Sequence, residues 1–151
     1  MPQGILNDLH QDHEEVSSLI ERMIQTEDGK ERGTIFKEMM SKLLAHSHAE
    51  QNVLYKKMEK SENEKSRSFA YEGDNEHQIV EQQLQQMARA RNKASEQWTA
   101  QATVLKELVG HHVREEESTG FSCAQSEFDS ATLEKMADQF RKQKEKLLQE
   151  A

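Results

Sequence analysis

Histidine and glutamate recur in this 151-residue chain at a spacing that can bind metal ions. His46 precedes Glu50 by four positions, and the same H-x3-E spacing returns in His112 and Glu116. Residues four apart on an α-helix lie on one face, one turn from each other. A neutral imidazole and a carboxylate placed in this way can bind the same cation. The chain therefore offers two matched His–Glu pairs as candidate ligands.

These pairs belong to a longer pattern that occurs twice. An aromatic residue follows each glutamate by five positions, as Tyr55 and as Phe121. A carboxylate–histidine unit precedes each pair, Asp12–His13 in the first half and Glu76–His77 in the second. The pattern supplies four histidines and two glutamates, which is enough to hold two metal ions. The six candidate ligands are His13, His46, Glu50, His77, His112 and Glu116.

Apolar residues at steps of three and four predict long amphipathic helices that position these ligands. Leu9, Val16 and Ile20 form such a stripe in the first helix. Asp129 or Ser130 can cap the last helix at its N-terminus. The predicted helices cover about residues 6–26, 34–60, 65–90, 95–117 and 130–150.

Each of the first four helices carries one of the histidines within its apolar stripe. A polar side chain in such a stripe is costly unless it has a partner. Polar segments suited to turns, at about residues 27–33, 61–65 and 91–96, lie midway between successive ligand positions. In an antiparallel bundle the four ligand sets would therefore lie at one level. The sequence predicts an all-α fold: an up-down-up-down antiparallel four-helix bundle with an additional C-terminal helix.

Composition sets limits on domain number, partners and location. One proline and six glycines fit a single domain of long helices over residues 1–151, with the bundle at about 4–118 and the extension helix at about 130–150. The net charge of −8 argues against nucleic acid as a partner, because phosphate binding needs a basic surface. No apolar run is long enough for a membrane span, and the first residues lack the features of a signal peptide. With one cysteine, the chain is expected to be a reduced cytoplasmic protein.

The chain resembles the hemerythrin-like (HHE cation-binding domain) family, bacterial type, over nearly its whole length. The resemblance rests on segments 9–13, 46–55, 76–80 and 111–121 taken together. It implies a four-helix bundle with a non-haem di-iron centre that binds or reacts with dioxygen. The helix that follows residue 131 is similar to an extension found in bacterial members.

Two positions near His77 depart from the oxygen-carrying hemerythrins, which have two histidines one turn apart on the third helix. Here Gly73 stands one turn before His77, and Glu81 stands one turn after it. We expect Gly73 to leave a gap beside His77. Gly73→His should then place an imidazole there at little cost, because glycine is a poor helix former. Glu81, Glu117 and His10 stay open as further ligands.

Other residues near the ligands are expected to have ordinary structural roles. Asp12 and Glu76 are interpreted as surface charges. Tyr55 and Phe121 are interpreted as packing caps over the site rather than as redox participants. Cys123 is expected to lie in a loop.

The predicted cofactor is a pair of non-haem iron ions joined by an oxide or hydroxide bridge. Glu50 and Glu116 would also bridge them, with two histidines on each ion. This centre favours a metal- and oxygen-binding protein over a dedicated enzyme, for storage, transport or sensing of dioxygen or nitric oxide. One alternative is a di-iron oxidoreductase that acts on peroxide. A second is iron storage, or a structural bundle that holds zinc. The sequence does not determine the oligomeric state.

Overall fold

Helices make up all the regular structure of residues 3–150, the part of the chain that the computed structural model describes. The helices are α1 (Ile5–Gln25), α2 (Gly29–Glu50), α3 (Lys56–Glu59), α4 (Glu64–Arg89), α5 (Glu96–Glu115), α6 (Phe121–Glu127) and α7 (Ser130–Glu150). A π-helical turn at Gln51–Tyr55 joins α2 to α3, and a second one at Glu116–Gly120 joins α5 to α6. The described chain thus forms five continuous helical rods, and the predicted all-α class is confirmed.

Aspartate side chains cap two of the rods and fix where they begin. Asp28 accepts a hydrogen bond from the backbone N–H of Lys30, so α2 starts at Gly29. The start predicted near residue 34 is therefore wrong, and residues 29–33 form the first turn of the helix. Asp129 accepts a bond from the backbone N–H of Thr132 and caps α7 as predicted. Such caps satisfy N–H groups that have no partner inside the helix.

The fourth rod extends beyond its predicted end near residue 117. It continues through the second π turn into α6 and ends at Glu127. Cys123 is accordingly buried in a helix, and the expected loop is wrong. The segment contains no proline, so its backbone N–H groups can all continue the helical hydrogen bonding.

The first four rods pack around one interior. In this bundle α1 contacts α2 and α5, α4 contacts α5, and α2 meets α4 mainly through the first π turn and α3. The C-terminal rod α7 lies against α1 and α2. These contacts fit the up-down-up-down order, which stays a prediction. Within residues 3–150, no helix is both long and apolar enough to cross a membrane.

Two apolar clusters fill the interior on either side of the candidate ligand histidines. Leu9 belongs to one cluster and Val16 to the other, with His13 between them along α1. Val53 and Leu43 flank the second histidine-bearing segment in the same way. The polar level of the bundle is therefore enclosed by apolar side chains at both ends.

A buried arginine ties two helix connections together. Arg32 is 4% exposed and donates hydrogen bonds to the backbone oxygens of Ile24, Thr26 and Lys93 and to the hydroxyl of Thr99. Its guanidinium thus joins the α1–α2 connection to the α4–α5 connection. Four partly buried oxygens thus accept hydrogen bonds from this one side chain.

Arg32→Met should lower the free energy of unfolding by about 3 kcal/mol, because each buried group that loses its donor costs about 1–3 kcal/mol. Urea unfolding measures the loss. Arg22→Met makes the same change at an exposed arginine of α1 and should alter stability by less than about 0.5 kcal/mol. Equal losses in the two variants would contradict the role given to Arg32.

Candidate metal centre

The six predicted ligands meet at the middle of the bundle. They form two groups in which one donor atom from each residue lies within 4.8 Å of the others. All six side chains are buried, and both glutamates are fully so. The first group is His13, His46 and Glu116, and the second is Glu50, His77 and His112. Their proximity is observed, while their role as ligands stays a prediction.

Each glutamate reaches histidines of both groups. The Oε1 atom of Glu50 lies 3.2 Å from Nε2 of His77 and 3.6 Å from Nε2 of His46. Glu116 instead directs one oxygen toward each group. Its Oε1 lies 3.0 Å from Nε2 of His13, and its Oε2 lies 3.7 Å from Nε2 of His112. Both carboxylates are thus placed to bridge two cations.

Several atoms at this centre have no hydrogen-bond partner among the described residues. They are Nε2 of His13, both carboxylate oxygens of Glu50 and Oε1 of Glu116. A buried polar atom without a partner is costly, and natural proteins contain few of them. Here all four atoms belong to residues of the two groups, and each can offer a lone pair to a cation. The donor set therefore fits cations that take imidazole nitrogen and carboxylate oxygen.

The two buried carboxyl groups hold their protons differently. Burial, together with the negative charge of Glu116, raises the pKa of Glu50 well above its usual range. Burial also acts on Glu116, but the adjacent His13, the Glu50 carboxyl and the charge of His112 hold its pKa well below its usual range. One proton on the pair is the state we expect without cations, because two adjacent buried charges repel each other.

Burial also favours the neutral form of two of the histidines. It is the largest factor that lowers the pKa of His46 and of His77 below the usual value. His13 differs: burial lowers its pKa, but the neighbouring Glu116 and Glu117 outweigh burial and raise it. A neutral imidazole is the form that binds metal.

Two carboxylates that were interpreted as surface charges orient candidate ligand histidines instead. Asp12 accepts a hydrogen bond from Nδ1 of His46 at 2.9 Å, and Glu76 accepts one from Nδ1 of His112 at 2.6 Å. The earlier interpretation is wrong because both side chains turn inward across a helix interface. A bond at Nδ1 fixes the tautomer, so the lone pair of Nε2 faces the centre. The repeat held a signal for this role, since each carboxylate directly precedes a single histidine.

His13 and His77 differ in their outer partners. Nδ1 of His13 donates to Oε2 of Glu117 at 2.7 Å. The corresponding position after the first H-x3-E motif is Gln51, and Nδ1 of His77 has no hydrogen-bond partner among the described residues. The second group therefore has one histidine that no carboxylate supports.

Tyr55 occupies the space beside that unsupported histidine. Its ring stacks on the ring of His77 with centroids 5.2 Å apart, and the side chain is fully buried. Its hydroxyl donates a hydrogen bond to Oε2 of Glu116 and lies 3.3 Å from Nε2 of His112. Tyr55 is thus more than a packing cap, because its polar end lies among the candidate ligands.

The expected gap at Gly73 is filled by this tyrosine. A Cβ atom at Gly73 would lie 2.6 Å from Cε2 and 2.8 Å from Cζ of Tyr55. The prediction that Gly73→His costs little is therefore wrong, since an imidazole would have to displace a buried ring. Helix propensity alone could not reveal a contact with a residue on another rod.

The three residues left open as further ligands all lie outside the two groups. Glu117 bonds the outer nitrogen of His13, and His10 donates from Nδ1 to Glu117 at 3.0 Å. Glu81 turns away from the centre, toward the partly exposed His48 at 3.6 Å. None of the three has its side chain among the donor atoms that converge.

The π turns were not predicted, although they follow both H-x3-E motifs. The backbone N–H of Lys56 bonds to the oxygen of Gln51, and that of Phe121 bonds to the oxygen of Glu116. In a π turn the backbone hydrogen bond joins residues five positions apart instead of four. An aromatic residue five positions after the glutamate therefore lies about one turn away from it. The shared spacing between glutamate and aromatic residue was the available signal.

A small cavity of about 20 Å³ adjoins the histidines. Its apolar wall is built from Val16, Leu43, Val80 and Val109. Leu9 and Val53, which were also expected there, belong to the cluster on the other side of the centre. The space is near the minimum that holds one water-sized molecule.

The C-terminal rod also reaches the centre. Phe140 of α7 places its ring edge-on to His46, with centroids 5.7 Å apart. Lys144 donates to Oδ1 of Asp12 at 2.8 Å, and Asp12 in turn accepts from His46. This extension therefore supports one ligand of the first group.

An all-helical fold around a buried histidine–carboxylate centre is typical of helical metal-binding proteins. Residues 4–124 match the family described as Hemerythrin, the hemerythrin HHE cation binding domain. The match covers most of the chain, so this protein belongs to that family, and the resemblance drawn from the sequence is confirmed. The rod α7 lies beyond the matched residues.

A curated relative is similar over a comparable span. A protein named DNA nickase from Nostoc sp. strain PCC 7120 is 29% identical over 145 residues. The similar segment covers 93% of this chain but 39% of the relative, so the chain spans well under half of that protein's length. No solved structure gives a significant match.

Glu76→Ala should weaken cation binding by about 10–100-fold, because residues that orient metal-bound histidines contribute that much to affinity. Anaerobic titration with ferrous iron measures the change. Glu72→Ala removes an exposed carboxylate one turn earlier on α4 and should leave binding unchanged. Equal affinities in the two variants would contradict the orienting role of Glu76.

Proposed function

We propose that this protein is a non-haem di-iron protein that binds dioxygen or a related small ligand. The observation that carries the proposal is the pair of buried groups, each with two imidazoles and one carboxylate. Mixed imidazole and carboxylate donors suit iron, whereas sulfur donors are absent from both groups. Membership in a cation-binding family supports the same function. In this proposal the four main rods form an up-down-up-down bundle, and the protein acts in the cytoplasm.

The two ions would be held by His13, His46 and Glu116 at one position and by Glu50, His77 and His112 at the other. When bound, they would supply the redox chemistry toward dioxygen, nitric oxide or peroxide. The residues of the chain prepare the donors for this task. Hydrogen bonds to Asp12, Glu76 and Glu117 aim three imidazoles inward. The two glutamates span both groups and set their separation.

The surroundings of the centre favour a small uncharged ligand. The adjoining cavity has the candidate ligand histidines on one side and a wall of valine and leucine on the other, so a ligand that reaches the centre faces mainly apolar side chains beyond the donors. A volume of about 20 Å³ restricts a ligand there to about the size of a water or diatomic molecule. Dioxygen and nitric oxide fit these limits. The apolar wall also keeps bulk water from the donors.

Turnover of peroxide, in which two molecules disproportionate to water and dioxygen without an outside reductant, is the second candidate function, and Tyr55 is the observation that favours it. Its hydroxyl lies at the centre, where the oxygen can accept a hydrogen bond from a peroxide O–H group while its own proton is donated to Glu116. Stopped-flow mixing of the iron-loaded protein with hydrogen peroxide separates the candidates. Decay of many equivalents of peroxide per chain favours the enzyme, and reaction with one equivalent favours the binding protein.

Wild-type protein should bind two ferrous ions per chain and melt at a higher temperature with iron than without it, because the metal binds the folded form only. Glu50→Gln should abolish most of this gain. Its metal-free melting temperature should stay close to that of the wild type, since the amide resembles the protonated carboxyl expected at Glu50. Elemental analysis and thermal unfolding under anaerobic conditions measure both effects.

Glu81→Gln is the matched control, since Glu81 is half-buried and points to His48 instead of the centre. It should keep both ions and the full thermal gain. A wild-type ratio near one iron per chain, or an equal gain in the Glu50→Gln variant, would contradict the proposed centre.

The name of the cyanobacterial relative also raises DNA as a partner. The net charge of −8 opposes contact with phosphates. We therefore expect no retardation of a duplex oligonucleotide by this chain in low salt, where electrostatic binding is strongest. A retarded complex that dissociates as the salt concentration is raised would contradict this expectation.

A further inference from the structure

Gly73 and Tyr55 occupy one space in the bundle. Gly73 lies on α4, one turn before His77, and Tyr55 comes from the π turn on the neighbouring rod. A Cβ at Gly73 would lie within 2.9 Å of three ring or hydroxyl atoms of Tyr55, closer than such atoms approach each other. Any residue larger than glycine at position 73 therefore requires the tyrosine ring to move.

That ring cannot move without disturbing the centre. It is fully buried, stacks on His77 and meets Phe69 edge-on with centroids 5.8 Å apart. Its hydroxyl donates to Oε2 of Glu116, the oxygen that faces the second group. The other oxygen of Glu116 faces His13 in the first group.

We propose that Tyr55 is a positioning residue of the metal centre: its hydroxyl holds the bridging orientation of Glu116, and its ring fills the space where a second α4 histidine would stand. Gly73 is the residue that admits it. This inference rests on the proposed two-metal function. Tyr55 would thereby support the second group, in which Nδ1 of His77 has no carboxylate partner among the described residues.

Loss of the hydroxyl should act on one metal position more than on the other. Without its hydrogen bond, Oε2 of Glu116 is free to turn away from His112, whereas Oε1 keeps its neighbour His13. The second group would then lose a well-oriented donor, and the first group would keep all three. The affinities for the two ions should therefore differ more in the variant than in the wild type. A ring with only a structural role would not produce this difference.

Tyr55→Phe tests this directly, because it removes the hydroxyl and keeps the ring. Tyr71→Phe is the control, since Tyr71 is the other tyrosine of the chain and is 53% exposed. Anaerobic titration with ferrous iron gives both dissociation constants. We expect Tyr55→Phe to bind the second ion about 10–100-fold more weakly, with the affinity for the first ion little changed. The metal-free melting temperature should fall modestly, because a buried oxygen of Glu116 loses its donor. Tyr71→Phe should match the wild type.

The outcomes separate this inference from the function on which it rests. Wild-type protein that fails to take up two ferrous ions would overturn the proposed function and this inference with it. Two ions bound equally well by wild type and Tyr55→Phe would overturn the inference alone. A visible charge-transfer band of the ferric protein that disappears in Tyr55→Phe would also overturn it, because Tyr55 would then be a ligand itself.

The shared space can be tested in the metal-free protein. Gly110→Ala on α5 meets only the flexible end of Arg114, so its better helix propensity should raise the melting temperature by about 2–4 °C. Gly73→Ala gains the same propensity but should lower the melting temperature. In a Tyr55→Leu background, where the clashing atoms are gone, Gly73→Ala should become stabilising. Stabilisation by Gly73→Ala in the wild-type background would contradict the proposal.

Discussion

The structure depends on placing two carboxylates and four imidazoles in one apolar core. Such groups are costly in a protein interior unless cations or hydrogen bonds compensate them. The rest of the bundle is arranged around this requirement. Each of the four main rods contributes at least one donor, both glutamates span the two groups, and apolar clusters close the level from both ends. The burial that makes the donors costly also keeps water from the site.

Residues outside the six candidate ligands also compensate the buried polar groups, through hydrogen bonds. The Nδ1 atoms of three histidines donate hydrogen bonds to Asp12, Glu76 and Glu117. The hydroxyl of Tyr55 donates to an oxygen of Glu116. The two halves of the repeat are not equal in this respect, because Gln51 stands where Glu117 stands in the second half. The rod α7 lies outside the family match and yet supports the first group, through Lys144 and Asp12. The extension is therefore part of the centre's support.

Much of this arrangement could be predicted from the sequence. The H-x3-E repeat and its place in apolar stripes were enough to predict that six particular side chains converge, because helical periodicity determines which residues share a face. Contacts between rods were harder to predict. The inward turn of Asp12 and the filling of the Gly73 space by Tyr55 depend on how neighbouring helices rotate, which no local pattern determines. The π turns could not be predicted for a related reason, because they alter the periodicity from which the helices were predicted.

The central claim is that two iron ions lie between these six residues, bridged by Glu50 and Glu116. Anomalous diffraction at the iron absorption edge, from crystals of protein loaded anaerobically with ferrous iron, tests it most directly. We expect two anomalous peaks in the core, one beside each group of three donors, with a carboxylate oxygen of Glu116 directed at each. A single peak, or peaks only at surface carboxylates, would contradict it.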